Sequence, residues 1–461
     1  MRGRRADGLW APERRALTTG LVLTITFIAS EALAVVTVMP QVAHDLKGLS
    51  LYGWVFSTFM LGSLVGIVVA GRDADRHGPA RPYVGGVALF VAGLLVAGLA
   101  PSMGVLVIGR LLQGVGAGAV PAVAYVTIGR SLHQSLQPSM MAVLSTAWVV
   151  PGIFGPSVAA VVAHLVGWRW VFLGLVPIVL VAGTVALPSL LRMGPPAGGP
   201  AEEHRILDAV RTAAGAALLL GALASRQLDL GLGLGVAALA VGLPALRRLL
   251  PPRALTAGRG LPATVLSRGL LTFAFFGTDA YVTLTIATVR HHSTTMAGLV
   301  VTVCTLCWTA GSWVQARVNA RVEGATLVRA GLLLIIVGAA GMILQLRAGV
   351  PVSEGFAAWA IGGLGMGLAY APISLMVLRA APPGREGWAS ASLNLADVLG
   401  VALGVGVGGA AVAAATRSHA PVAHGVVVAY GAAALVGLIG LSISTRLPHT
   451  KADVAPTPVS R

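Results

Sequence analysis

Apolar runs long enough to cross a bilayer recur along almost the whole chain. They fall at 17–39, 51–70, 83–100, 103–128, 139–163 and 169–190, then 208–225 and 228–246. Six more follow at 263–288, 295–316, 326–346, 355–378, 388–415 and 424–445. About 17–25 apolar residues span the hydrocarbon core as a helix. Lipid offers no partner to backbone N–H and C=O groups, so such segments must satisfy them internally. The short alternating segments that would build a barrel are not visible. The expected fold class is an all-α polytopic membrane protein. Only 10% of the 461 residues are charged and 56% are hydrophobic, against roughly a quarter charged in soluble domains.

The count is six, two and six. The polar break "RMGPPAGGPAEEHR" at 192–205 and a basic stretch from Arg247 to Arg259 set off the middle pair. The division expected is 1–192 as an N-terminal six-helix bundle, 193–260 as a connector with two additional helices, 261–446 as a C-terminal six-helix bundle, and 447–461 as a cytoplasmic tail. The uncharged core of the first middle segment, 212–225, is short for a span, which leaves twelve helices as the alternative to fourteen. Charge bias bears on this. With the N-terminus inside and both middle helices spanning, 25 of the 32 Lys and Arg fall in inner loops and tails. Six fall outside (Lys47, Arg169, Arg226, Arg290, Arg347 and Arg417), and Arg110 lies in the membrane. A single middle span would invert the second half and its charge. Both middle helices therefore span or neither does, and fourteen helices with both termini in the cytoplasm is the expected topology.

The start "MRGRR" followed by an apolar run and "ALA" at 32–34 mimics a signal peptide, but the run continues and contains Glu31. It is read as the first transmembrane helix. The net charge of +16 comes from residues scattered among short loops, not from one basic face, so no nucleic-acid partner is expected. Lys47 and Lys451 are the only lysines, and Ala and Gly are abundant. That bias suggests GC-rich coding, and with it a bacterial plasma membrane. Cys304 and Cys307 form "CTLC" inside a span; a redox pair and two small apolar residues are both compatible with that pattern.

Shifting the chain by 248 sets "SEALAVVTVM" at 30–39 against "TDAYVTLTIA" at 278–287, so Glu31 faces Asp279. Shifting by 249 sets "GVGAGAV" at 114–120 against "GLGMGLA" at 363–369. Each acid lies fourteen positions into its helix, about 21 Å from the inner surface, and both helices run outward. This is a parallel duplication of six-helix halves, an arrangement that places a substrate site between the halves. A carboxylate at such depth costs roughly 2.5–3.5 kcal/mol on insertion scales, so two in matching places call for a purpose.

These features resemble the major facilitator superfamily, and within it the fourteen-helix drug:proton antiporters. Between helices two and three, "GRDADRHGPARP" is similar to the superfamily's loop signature, with Gly71, Asp75, Arg76, Gly78 and Arg81 at the matching places. Gly71 and Gly78 would permit a tight inner turn. Asp75 would cap the next helix or pair with arginine, latching two helices in one conformation. The counterpart "ARVNARVEG" keeps Arg317 and Arg321 without the acid. Helix four, "GRLLQGVGAGAVPAVAYVTIGR", resembles the antiporters' arginine motif, with Arg110, Gln113 and then Gly114 and Gly118 for close helix contact. Arg110 lies roughly 10 Å from the outer surface, level with Glu31, so an ion pair between them is expected. A purely structural pair is one reading; Asp279, with no arginine at its level, favours a functional one.

Helix five, "WVVPGIFGPSVAA", resembles the antiporter signature around Gly-Pro. Pro151 stands where that pattern has glycine, and Ala159 and Ala160 replace its final glycine pair. Pro151 and Pro156 would bend the helix, while Gly152 and Gly155 allow close packing. "GWRWVFLG" at 167–174 also looks like the fourteen-helix branch. The resemblance covers nearly the whole chain and is strongest over 30–175.

Asp397, with Asn394 one turn before it, is a candidate third protonation or cation site, or else a hydrogen-bonded strut. Trp148, Tyr281, Trp308, Trp313 and Tyr370, with Gln113 and Asn394, are candidates to line a cavity for aromatic or cationic substrates. His291 and His292 fall in an outer loop. Neither lysine sits in the Gly-Lys-Ser/Thr setting of a phosphate-binding loop, which excludes ATP coupling within the chain. H-E-x-x-H and G-x-S-x-G are also missing from the sequence, so an intramembrane enzyme is not expected, nor is a receptor.

The expected function is a proton-coupled antiporter that exports small amphipathic or cationic compounds by alternating access. Protons are the coupling ion, with no cofactor and no metal. Glu31, Asp279, Arg110 and Asp397 are the coupling candidates, and the partners are a small-molecule substrate and the lipid bilayer, with the protein a monomer. A proton-coupled importer and a lipid or glycolipid exporter are the alternatives on the same fold.

Overall fold

The computed structural model describes residues 9–11, 14–131, 140, 143, 147, 149–193, 204–318, 321–381 and 386–448. Fourteen helices order the described chain. The first six are α1 (Arg15–Asp45), α2 (Tyr52–His77), α3 (Ala80–Gly98), α4 (Met103–Ser131), α5 (Val149–Leu165) and α6 (Arg169–Leu191). The middle pair is α7 (His204–Ala224) and α8 (Leu228–Leu249). The last six are α9 (Leu261–Val289), α10 (Thr294–Val318), α11 (Gly324–Leu344), α12 (Val352–Ala380), α13 (Glu386–Arg417) and α14 (Val422–Ile443). Thirteen are long and apolar enough to cross a membrane; α5, at 17 residues, is the shorter one among those described. There are no strands among the described residues. The middle pair shares the lengths of the rest, and α7 gains the turn upstream of 212 that the count of uncharged residues had left out.

The duplication is visible in how the helices pack. Within the first half, α2 and α3 pack on α4 and α1 packs on α5 and α6. Within the second, α10 and α11 pack on α12 and α9 packs on α13 and α14. The halves meet along two seams, α2 with α13 and α5 with α10. α7 lies over the first seam, touching both α2 and α13, and α8 packs on α7.

Small residues set the closeness of these contacts, because lipid does not drive apolar helices together and backbone approach must. Gly114 and Gly118 of α4 rest against the backbone of Phe59 and Ser63 in α2. Gly363 and Gly367 of α12 rest in the same way against Cys304 and Trp308 of α10. A methyl group at Gly114 would meet the Phe59 carbonyl, which cannot rotate aside. Gly114→Ala is therefore expected to cost about 1–3 kcal/mol of stability through overpacking. Gly71 has nothing within 4 Å of the position of a Cβ. Gly71→Ala should be neutral or gain up to about 1 kcal/mol, and thermal unfolding of the two variants in detergent checks the contrast.

At the end of the bundle carrying the α1–α2 and α9–α10 turns, the halves are joined by hydrogen bonds. Tyr52 Oη donates to the Ala280 carbonyl at 3.1 Å, Ser57 Oγ to Ala402 at 2.9 Å and Thr283 Oγ1 to Val36 at 2.8 Å. Gly53 and Gly409 let α2 and α13 touch here: a Cβ on Gly53 would lie 2.5 Å from the Gly409 Cα. Tyr281, expected on a cavity wall, is fully buried beside these glycines and donates to the Val405 carbonyl at 2.5 Å. It fills the joint because glycines on both sides leave room there for a ring.

The loop between α2 and α3 differs in detail from expectation. Gly71 lies inside α2 and takes no turn conformation; the turn is made at Gly78, whose φ is 85°. The N-cap of α3 is Pro79, with no side-chain cap bond; the Asp75 side chain, expected as a cap or latch, lies outside the described residues. Asp73 pairs here as well: it takes the His77 ring nitrogen at 2.7 Å and Arg81 Nε at 3.5 Å. Arg76 is exposed on the last turn of α2.

Candidate functional site

Glu31 of α1 and Arg110 of α4 are both buried and form an ion pair. Arg110 Nη1 donates to Glu31 Oε1 and also to Gln113 Oε1 at 2.9 Å, and its Nε donates to the Val55 carbonyl at 3.2 Å. Gln113 Nε2 closes the ring onto Glu31 Oε1 at 3.1 Å. Gln113, one turn along α4 from Arg110, is thus bound up in the charged cluster and is not a free cavity wall. The guanidinium also lies over the Phe59 ring, 4.2 Å from its centroid, a favourable placement for a desolvated cation. Glu31 Oε2 has no hydrogen-bond partner among the described residues. One oxygen of this carboxyl is held rigidly and the other is available to carry a proton.

The second half repeats the arrangement with one substitution. Asp279 of α9 is buried and accepts a hydrogen bond from Trp359 Nε1 of α12 at 2.7 Å. The shifts that align the halves carry Glu31 onto Asp279 and Arg110 onto Trp359. An acid on the first helix of each half thus bonds a donor on the fourth, and the donor is charged in one half and neutral in the other. Sequence reading found both acids and missed Trp359, although extending the 249-residue shift four positions upstream of Gly114 would have reached it. Both acids lie near the crossing of α1 and α9, five and four residues before the bonded Val36 and Thr283.

A third charged cluster lies about three turns back along α9. Arg268 Nε of α9 bonds Asp397 Oδ1 of α13 at 2.7 Å, and its Nη1 bonds the Tyr370 carbonyl at 2.7 Å. Tyr370 Oη donates to Asp397 Oδ2 at 3.3 Å, and the guanidinium stacks on the Tyr370 ring at 3.1 Å. Arg268 had been counted with the basic residues of the inner loops, but it is 3% exposed inside α9. Its position within an apolar run was the overlooked signal. Asn394 is exposed and makes no hydrogen bond to Asp397 among the described residues.

Aromatic rings connect the two acids of this half. Trp359 stacks on Phe275 at 5.1 Å, Phe275 meets Trp308 edge-on at 5.4 Å, and Trp308 meets Tyr370 at 5.8 Å. Trp308 and Tyr370 are half-buried and form an aromatic surface beside the charges. Trp313 is 62% exposed on α10, with Arg317 over its ring, and belongs to the outer surface of the bundle. Trp148 lies outside the described residues.

The packing motif of α5 works at the second seam. Gly152 faces Thr305 of α10, and the Pro156 carbonyl lies against Gly298. Gly155 is in ordinary contact with Leu33 of α1 at 3.8 Å. Pro156 lies inside the helix and Pro151 in the first turn of its described part. Cys304 is buried and Cys307 half-buried, and neither forms a disulfide.

Two six-helix halves of matching construction, with paired acids where their first helices cross, define a multi-pass membrane transporter. The chain belongs to the Major Facilitator Superfamily, whose family profile matches residues 17–405. Among its relatives is a probable multidrug-efflux transporter of Mycobacterium tuberculosis H37Rv, 28% identical over 467 aligned positions covering 94% of this chain and 97% of that one. Another is the multidrug transporter protein MdtP of Bacillus subtilis, 31% identical over 170 positions, 37% of this chain and 31% of that one. Of solved structures, a D-xylose-proton symporter superposes with a TM-score of 0.68 at 14% identity, covering 95% of this chain and 98% of that one. At that identity the likeness concerns the fold.

Proposed function

We propose that this transporter is a proton-coupled antiporter of the drug-efflux type, expelling small amphipathic or cationic compounds. The observation that carries the reading is the matched pair of buried acids, one bonded to Arg110 and the other to Trp359. A carboxyl removed from water and given no cation disfavours its charged form. Asp279, met by an indole N–H alone among the described residues, is the group whose charge depends most on what else enters the site. A proton and a cationic substrate are then alternative ways to neutralise it, which is the requirement for exchange. Glu31, tied by one oxygen to Arg110, exchanges its proton at the other when the cluster rearranges. Rocking of the halves exposes the acids to one side and then the other. The proposed orientation has both termini in the cytoplasm of a bacterial cell. The end joined by Tyr52, Gly53 and Thr283 is then the outer one, closed in this conformer. The protein works as a monomer, with no cofactor or metal in the scheme.

The test uses purified protein in liposomes with a pH-sensitive dye inside and a cationic fluorescent substrate. Substrate movement is expected to run opposite to an imposed proton gradient and to release protons on the side from which substrate is taken. Movement in the same direction as protons would establish an importer and overturn the reading. A panel of compounds scored for growth protection in an efflux-deficient strain identifies the substrate.

Closure at the outer end makes a separate prediction. A side chain at position 53 keeps α2 and α13 apart, so Gly53→Val should hold that end open. In a variant lacking Cys304 and Cys307, a cysteine replacing Thr283 should resist a membrane-impermeant maleimide. It should react with the reagent once Gly53→Val is added.

A further inference from the structure

α8 packs mainly on α7 and exposes Leu230, Leu232, Val236 and Leu239, so its outer face is turned to lipid. At one end of this pair lies a cavity of about 240 Å3 lined by Arg211, Ala240, Val241, Pro244, Ala245 and Arg248. None of its lining residues belongs to the three clusters described above. Arg248 occupies the last turn of α8 and Arg211 the second turn of α7, so both guanidinium groups flank the same end of one groove. Their surroundings leave them available. The Arg248 side chain is 63% exposed, and its close acid is Asp208, 3.5 Å from one Nη; Arg211 is exposed. Arg211 is seven residues inside its helix, about 10 Å from the helix end, a depth from which its side chain can reach back to the headgroup level.

Two arginines at the hydrocarbon edge, over an apolar floor and with Asp208 the one acid paired with either of them among the described residues, call for an anion that brings its own apolar tail. We propose that this groove holds an anionic phospholipid. The phosphate lies between Arg211 and Arg248, each guanidinium offering a fork of donors to its oxygens, and an acyl chain runs along Ala240, Val241 and Pro244. Basic pockets between transmembrane helices bind headgroups in this manner. The middle helix pair thereby gains a use: α7 touches both α2 and α13, so the lipid sits one helix away from a seam between the halves.

The full-length protein in detergent is titrated with phosphatidylglycerol, phosphatidylcholine or inorganic phosphate, and retained lipid is counted by native mass spectrometry. The wild type should retain phosphatidylglycerol in preference to phosphatidylcholine, and millimolar inorganic phosphate should not displace it. The Arg211→Gln/Arg248→Gln variant should bind phosphatidylglycerol about tenfold or more weakly. Arg247→Gln, which alters a neighbour outside the groove lining, should bind normally. Equal retention of both lipids by the wild type overturns the proposal whether or not the double variant folds. Displacement by inorganic phosphate, or undiminished binding by a folded double variant, does so as well. None of these outcomes depends on transport activity.

Discussion

Asparagine in place of Asp279 is expected to abolish movement of substrate driven by a pH gradient while leaving the protein folded. The amide keeps the shape of the carboxyl and retains a carbonyl oxygen for the Trp359 Nε1–H, now 2.7 Å from the acid. It also takes away a group that can become charged in a buried site, which by itself costs nothing in stability. What it cannot do is take up and release a proton. In liposomes, the rate with an imposed proton gradient should fall to that of protein-free vesicles, and thermal unfolding should stay within about 1 kcal/mol of the wild type. Energy-independent exchange of substrate across the membrane should persist, because the aromatic surface of Trp308 and Tyr370 is untouched. Wild-type coupling in Asp279→Asn would remove the neutral-partnered acid from the mechanism.

The second large effect separates a structural pair from a working one at Glu31 and Arg110. Arg110→Met leaves Glu31 buried without its cation and also strips donors from Val55 and Gln113. Breaking one side of a buried ion pair costs about 3–5 kcal/mol, so little folded protein should survive. Adding Glu31→Met removes the stranded charge with apolar groups of similar length, and such double replacements are often neutral. The double variant should therefore unfold near the wild-type temperature in detergent and still carry no proton-coupled flux. Recovery of both stability and coupling would show that the pair only holds α1 to α4, and would sink its role in transport.

Much of this was legible beforehand because membranes restrict the choices. Apolar run lengths gave the helices, the repeat gave two halves, and the level of Glu31 and Arg110 gave their pairing. The errors came from residues whose part depends on neighbours distant in sequence. Arg268 looked like a loop cation because it lies near the start of its run, yet it reaches Asp397, 129 positions away. Tyr281 looked like a cavity wall by its chemistry, yet glycines from α2 and α13 make a slot for it at a helix joint.

The sequence by itself determined that the chain is built of membrane-length helices and that its two halves are equivalent. These follow from the local need to satisfy a backbone in hydrocarbon and from a duplication that any alignment of the halves reveals. Only the tertiary structure decided which donor each buried acid meets, where the halves touch, and that the middle pair lies over the α2–α13 seam. Those outcomes depend on the rotation of each helix about its own axis and on close backbone approach at glycines. Neither is encoded in the pattern of any one segment, since lipid and protein interior are equally apolar surroundings for it.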